Sequence, residues 1–389
     1  MKKYLILLIL LFVFVPPAQA LHTWNVYVDP DAGGANDGGR DGGDPNDPTQ
    51  AANWTDAYLS LEGAFAGEAQ DLTSTDRVIK FMCRSSSGGD DTAKVGADDF
   101  TTDATRYVWV YGYDFPTDGI LDATKYNLYN NDAQSEMVDC REENIVWENI
   151  QFRIVQTSTN SRYGIGIYVV EAGNLVTIKN CIIQGNCTST GAAYGIQIND
   201  ADANVNIYNT IVYDFESATD PHTDFRGINI IASTAVNIWN STIEGCNYGI
   251  NGVFTIKNSA VFNNADDFNG TPTADYNATD DDDDRGTNGV DLNKNASGEW
   301  TASFTNYGTN TYSVKDASAP IYNVGTDDPG GAAQDGDDIT GFARTSTWDI
   351  GAFEWDDSGS GDPGGQGSDS GGIKYGFKNG GGKDGGKQN

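Results

Sequence analysis

The sequence is poor in the residues that most metal and acid–base chemistry uses. It has two histidines, His22 and His222, and three methionines in 389 residues. Its five cysteines, Cys83, Cys140, Cys181, Cys187 and Cys246, form no CxxC pair. That scarcity excludes a zinc site. The odd count leaves at least one thiol unbridged within the chain. Cys181 with Cys187, or Cys83 with Cys140, are the disulfides open to a secreted chain; the alternative is small buried residues in a stacked core. Basic residues are scarce too, 23 Lys and Arg against 56 Asp and Glu, for a net charge of −33. Such a surface repels nucleic acid and anionic lipid, and it does not capture a polyanionic sugar unless a cation bridges the two. Beyond residue 20 no apolar run is long enough to span a bilayer.

What is present begins with a leader. Lys2 and Lys3 precede an apolar core from Leu5 to Val15, and Pro16-Pro17-Ala18-Gln19-Ala20 ends in a small-x-small pattern. This reads as a secretory signal over 1–20, so a soluble, extracellular or cell-surface mature chain is expected. Without Lys2 and Lys3 its net charge is −35 (21 basic minus 56 acidic residues).

An internal repeat decides the fold class. Val176-Thr177-Ile178-Lys179-Asn180 recurs as Val205-Asn206-Ile207-Tyr208-Asn209, Val236-Asn237-Ile238-Trp239-Asn240 and Phe254-Thr255-Ile256-Lys257-Asn258, with a degenerate copy at Ile145-Val146-Trp147-Glu148-Asn149. The asparagines are spaced 31, 29, 31 and 18 residues apart. A second marker keeps step: Gly164-Ile165, Gly195-Ile196, Gly227-Ile228 and Gly249-Ile250. Each unit alternates apolar and polar residues with the period of a strand. One strand cannot bury its apolar face alone, but stacked turns of chain bury it against one another. The spacing predicts an all-β, right-handed, single-stranded parallel β-helix. Ile178, Ile207, Ile238 and Ile256 form one inward file, and the asparagines form another at the following turn, in a structural role. An antiparallel sandwich is the weaker alternative, because it does not demand markers in phase. Trp54 to Ala66, with Leu59, Leu61, Ala64 and Phe65, predicts a short amphipathic helix capping the stack. The expected organisation is a leader over 1–20, an N-terminal cap with an Asp/Gly-rich insertion over 21–75, coils over 76–268, a C-terminal coil and cap region over 269–355, and a Gly-rich disordered tail over 356–389.

The N-terminal signature Tyr27-Val28-Asp29 through Asn36-Asp37-Gly38 resumes at Trp54-Thr55-Asp56-Ala57-Tyr58 and Leu61, after an insertion from Gly39 to Asn53. Near the C-terminus stand Ser318-Ala319-Pro320-Ile321, Asp338-Ile339, Arg344 and Trp348-Asp349-Ile350-Gly351-Ala352-Phe353-Glu354. In these residues the chain resembles secreted pectin-lyase-like β-helix proteins, particularly those called choice-of-anchor Q domain proteins, over roughly residues 24 to 356. The resemblance implies the fold and an extracellular life. It implies no single activity, and it carries over no catalytic residue.

Four constellations are candidates for chemistry. The residue before each ladder asparagine is expected to face solvent, which puts Tyr208 and Trp239 side by side between Lys179 and Lys257, with Asn206 and Asn237 alongside. That file is read as a glycan-stacking strip, against an aromatic pair that only stabilises the sheet. The loop from Asp214 to Arg226 gathers Asp214, Glu216, Asp220, His222, Asp224 and Arg226. It offers carboxyls for glycoside hydrolysis, or a base and Ca2+ ligands for a lyase, against the reading of a solvated loop. Asp29, Asp31, Asn36 and Asp37 set oxygen ligands among glycines, as Ca2+ prefers, so Ca2+ is an optional ligand and no cofactor is required. The run Asp280 to Asp284 is read as a solvated, self-repelling loop. The basic end of the tail, from Ile373 to Lys378, is read as a segment for surface attachment or self-association.

The leading expectation is an extracellular or cell-surface β-helix that binds a polysaccharide or surface glycan, or mediates adhesion, without a catalytic site. A polysaccharide lyase or glycoside hydrolase working on the flank is the second reading, and a spike subunit of a phage or envelope the third.

Overall fold

A computed structural model describes residues 22–34, 38, 48–116, 118–168, 175–188, 190–216, 224–233, 235–281, 286–292, 298–306, 310–327, 336–344 and 347–355. The leader, Asn36, Asp37, Asp220, His222, Asp282 to Asp284 and the tail lie outside the described residues.

The backbone winds into a right-handed parallel β-helix with three flanks, and among the described residues no sandwich of antiparallel sheets forms. On the first flank His22–Val28, Arg77–Cys83, Val108–Gly112, Asn144–Glu148, Leu175–Lys179, Asn204–Tyr208 and Ala235–Trp239 stack in parallel. The second flank stacks Asn127–Asn131, Gln151–Gln156, Ile182–Cys187, Ile211–Tyr213, Thr242–Glu244, Ala260–Phe262, Ala278–Thr279 and Val290–Asp291. The third stacks Val95–Ala97, Glu136–Cys140, Arg162–Ile167, Ala193–Asn199 and Phe225–Ala232. Stacking therefore begins before residue 76 and continues past residue 268.

The register follows the repeat. Ile178 pairs with Ile207, Ile207 with Ile238, and Ile238 with Ile256. The same inward file runs back through Trp147, Val110 and Phe81, and all seven are fully buried. Each such side chain contributes roughly 1.5–3 kcal/mol by leaving water, so the file is a large share of the cohesion between coils. The glycine marker has a steric cause. A Cβ on Gly195 would lie 2.7 Å from the carbonyl oxygen of Gly227, and one on Gly227 would lie 2.7 Å from that of Gly249. Carbonyls of neighbouring coils fill the space a side chain needs.

Asn149, Asn180, Asn209, Asn240 and Asn258 turn the chain from the first flank to the second with φ between 44° and 58°. Asparagine tolerates this left-handed region better than other residues with a Cβ. Their backbone N–H groups donate to the next coil, as Asn180 N does to Tyr208 O at 3.1 Å. Side-chain bonding along the file is discontinuous: Asn209 Nδ2 donates to Asn180 Oδ1 at 3.1 Å, but Asn240 makes no side-chain hydrogen bond. After Asn240 the third-flank and first-flank strands merge into one, Tyr248–Lys257, which pairs with Phe225–Ala232 and Ala235–Trp239 at once. The lost corner explains the shortened spacing of 18 residues.

The N-terminal end is capped by Leu61–Glu68, a helix shorter than the expected one and preceded by a separate turn at Ala51–Thr55. Ser60 Oγ accepts from Gly63 N at 3.0 Å, a helix N-cap. Phe65 enters the bore and stacks on Phe81 with ring centroids 4.7 Å apart. Leu59 lies in the bend before the helix and is exposed, contrary to its expected place on the apolar face. All five cysteines are buried and free, so neither Cys181–Cys187 nor Cys83–Cys140 is bridged, and the thiols pack as small core residues.

The described residues between Leu292 and Phe353 pack over the outer face of the second flank. Ile182, Ile211, Ala260 and Ala278 point outward there and pack with Trp300, Phe304, Tyr312, Ile321, Ile350 and Phe353 in a second apolar core. The motif Asp349 to Glu354 straps this cover to the asparagine corner: Gly351 N donates to Asn258 O at 2.8 Å and Ala352 N to Thr242 Oγ1 at 3.1 Å. Arg344 is buried beneath the strap. It donates to Glu354 Oε2 at 3.2 Å, Gly351 O at 3.0 Å and Asn209 Oδ1 at 3.3 Å. Burial, with Glu354 beside it, pushes the Asp349 carboxyl up to about 7. Replacing Arg344 with methionine leaves Glu354 and Asp349 buried without their counter-charge, at an expected cost of about 3 kcal/mol. Chemical denaturation would read that loss, and limited proteolysis of Arg344→Met should cut within 292–355 while the coils stay protected.

Candidate functional site

Four residues past each ladder asparagine, one outward file crosses the second flank: Arg153, Gln184, Tyr213, Glu244 and Phe262. The C-terminal cover lies over its far end, where Phe262 stacks on Phe304 at 4.8 Å and Tyr213 meets Tyr312 edge-on at 5.8 Å. At the near end the file is open. A cleft of about 450 Å³ lies there, lined by Arg153, Gln184, Asn186, Thr188, Asp214 and Glu216 among others.

Each side chain has a definite tether. Arg153 Nη1 lies 3.2 Å from Asp90 Oδ1, and its guanidinium sits 4.5 Å above the Tyr129 ring. Asp214 leaves its strand in the left-handed region, φ 63°, and its Oδ2 accepts from Gln184 Nε2 at 3.1 Å. Burial raises the Asp214 carboxyl above its ordinary value. Glu216, Asn186 and Thr188 are exposed at the mouth. Behind the cleft Glu244 is almost wholly buried; Tyr312 Oη donates to its Oε1 and Asn263 Nδ2 to its Oε2 at 3.1 Å. Burial, with the charges of Asp214 and Glu216 nearby, pushes Glu244 up to about 7. The cleft therefore presents an amide pair, a hydroxyl, a guanidinium and two carboxyls, a set that can bond many hydroxyl groups at once.

The expected loop site divides. Asp214 and Glu216 line the cleft, whereas Asp224 and Arg226 belong to the third flank, beyond the fully buried Phe215. Arg226 there lies 5.4 Å from the Tyr194 ring centroid and 5.6 Å from that of Tyr248, with its Nη1 donating to Asn229 Oδ1 at 2.6 Å. Asp220 and His222 lie outside the described residues. Arg153, Gln184 and Glu244 were missed by sequence reasoning, although counting four residues on from the asparagines finds them.

The expected glycan strip is corrected. Lys179, Tyr208, Trp239 and Lys257 do follow one another in register, and Asn237 Nδ2 donates to Asn206 Oδ1 at 3.0 Å. Tyr208 and Trp239 are nevertheless only 5% and 4% exposed. Their rings stack face to face, centroids 5.0 Å apart, and the C-terminal strap runs along the asparagine file one residue further on. Neither face is left for a sugar, so the pair joins coils.

The oxygens expected to hold Ca2+ near the N-terminus face donors instead. Asp29 Oδ1 accepts from Asp31 N and Ser86 N, and its Oδ2 from Arg84 Nε at 3.0 Å. Asp31 Oδ2 accepts from Ser85 Oγ, Ser87 N and Gly89 N. These bonds clamp the 84–89 turn; the other two residues of the expected set, Asn36 and Asp37, lie outside the described residues. A different acidic group forms at Asp267, Asp280 and Asp281, whose oxygens come within 4.8 Å of one another. Asp280 is buried there, not solvated as the run of aspartates suggested, because Asn263 N donates to its Oδ2 at 3.1 Å.

Two substitutions test this description. Trp239→Ala should cost about 3–5 kcal/mol by opening a cavity between coils, read as a fall in the denaturation midpoint. Glu244 binds its proton more tightly in the folded than in the unfolded chain. Its contribution is therefore full below its unfolded pKa near 4.5, and it is lost as pH rises through about 7. Glu244→Gln should remove on the order of 2 kcal/mol of that loss between pH 5 and 8, measured as a flatter profile of stability against pH.

No family model matches the chain, and no curated protein does. A solved structure, that of pectate lyase Pel9A, is similar in backbone course, with 14% identity and a TM-score of 0.37 over 87% of this chain and 97% of the other. That likeness assigns neither a substrate nor a catalytic residue.

Proposed function

We propose that this is a secreted β-helix protein that binds a polysaccharide or surface glycan in the second-flank cleft. The observation that carries the reading is the open, polar cleft on the second flank, lined by Gln184, Asn186, Thr188 and Asp214. The cleft takes polar groups from three stacked coils, at Arg153, Gln184 and Asp214, so a saccharide lying in it meets several donors and acceptors at once. An extracellular life is read from the leader and from the C-terminal residues that resemble choice-of-anchor Q proteins, and surface attachment from the basic end of the tail.

Binding is favoured over turnover by the state of the titratable groups. Glu244 has the raised pKa of a general acid, yet both its oxygens are engaged by Tyr312 and Asn263 and it is 4% exposed. Proton transfer requires the donor within hydrogen-bond reach of the leaving oxygen. The lyase reading has a candidate base in Lys80 on the first flank, which burial pushes down to about 8. Its ammonium lies 3.6 Å over Trp109 and 3.8 Å over Tyr111, and those ring faces favour the protonated form.

The test is a glycan array with the purified chain, followed by titration of the best ligand. Gln184→Ala should weaken that ligand about fivefold or more, the worth of one lost hydrogen bond with its partner Asp214 left bare, with no new reducing ends released. Release of reducing ends or unsaturated products from any polysaccharide would replace this reading with the enzymatic one.

A further inference from the structure

The charge balance of the cleft says which sugars it takes. Two carboxyls, Asp214 and Glu216, line it, with the Glu244 carboxyl behind them. The cation on the lining, Arg153, is already neutralised by Asp90 at 3.2 Å, and its flat face is turned to Tyr129. Glu216 stands exposed at the mouth, where a ligand's charge would meet it first. The rest of the lining, Gln184, Asn186 and Thr188, is neutral and suited to hydroxyl groups. A polyuronate brings a carboxylate on each ring into this field and is repelled. A sugar with a free amine brings an ammonium on each ring and is attracted, first by the overall charge of −33 and then by the two local carboxyls.

Building on the glycan-binding reading above, we infer that the cleft selects amino sugars, with Glu216 at its mouth and Asp214 deeper in pairing with the ammonium groups of a de-N-acetylated hexosamine polymer. The amides of Gln184 and Asn186 and the hydroxyl of Thr188 bond the ring hydroxyls. Asp214, already tied to Gln184, fixes the orientation of that amide.

The inference is tested by titrating the full chain with three hexamers: glucosamine, N-acetylglucosamine and galacturonic acid, the last with and without Ca2+. At pH 6 and low salt the glucosamine hexamer should bind at least about fivefold more tightly than its acetylated counterpart, the worth of one or two partly exposed ion pairs. The ratio should shrink toward one at 0.5 M NaCl, where screening shortens the reach of charge to a few ångströms. It should also fall severalfold in Glu216→Gln at low salt. A ratio at or below one overturns the inference, as does tighter binding of galacturonate in either condition. A ratio that Glu216→Gln leaves untouched also overturns it, because the preference then belongs to the acidic surface at large. If none of the hexamers nor any arrayed glycan binds, the glycan-binding reading itself falls.

Discussion

An asparagine held in the left-handed region turns five successive coils from the first flank to the second, and the stacking of those coils is aligned by that corner. The turn fixes which residue ends one strand and which begins the next, so flanking side chains fall into register without further adjustment. A one-residue slip in any coil would send its apolar side chains out and its polar ones in. The next position reinforces the corner. Thr210, Ser241 and Ser259 return their hydroxyls to the carbonyl two residues back, at 2.7, 2.9 and 3.0 Å. The outward file from Arg153 to Glu244 is a consequence of the same corner, reached by counting along the second-flank strand.

That flank is unusual in having an apolar outer face as well as an apolar inner one. Ile182 and Ile211 point away from the bore, and an exposed stripe of that kind would invite association. The chain supplies its own cover, which among the described residues includes Trp300, Phe304, Tyr312, Ile321, Ile350 and Phe353, and in which Arg344 is buried against Glu354. The cover also meets polar outward residues, Thr242 and Glu244, and the cleft opens at Arg153 and Gln184. The recognition surface and the second core are thus two sides of one boundary, and Tyr312 spans it by reaching from the cover to Glu244.

The coils were legible because their signal is local and repeated. Ile178, Ile207, Ile238 and Ile256 each stand in the same short pattern, and stacking is the arrangement that buries them together. The third-flank glycines were legible as markers, though not as sites of close carbonyl approach, since that depends on the neighbouring coil. The cover was not legible as a cover. Its apolar residues are scattered among turns without strand or helix period, and what they pack on lies a hundred residues away. For the same reason Tyr208 and Trp239 read as an open platform. Nothing within their own coils announces that another segment runs beside them. Asp214 and Glu216 stand apart from Asp224 and Arg226, which belong to the third flank, and short sequence distance alone does not reveal that division.

The merging of two strands into Tyr248–Lys257 changes the cross-section of the rod from three-cornered and broad to narrow. A winding of some thirty residues laid on top of it would overhang an 18-residue outline on one side, with its apolar interior open to water. A duplicated thirty-residue repeat therefore fits before Tyr248, while beyond it the rod accepts the narrower winding, as Asp266–Asp275 stacked on Tyr248–Lys257 shows.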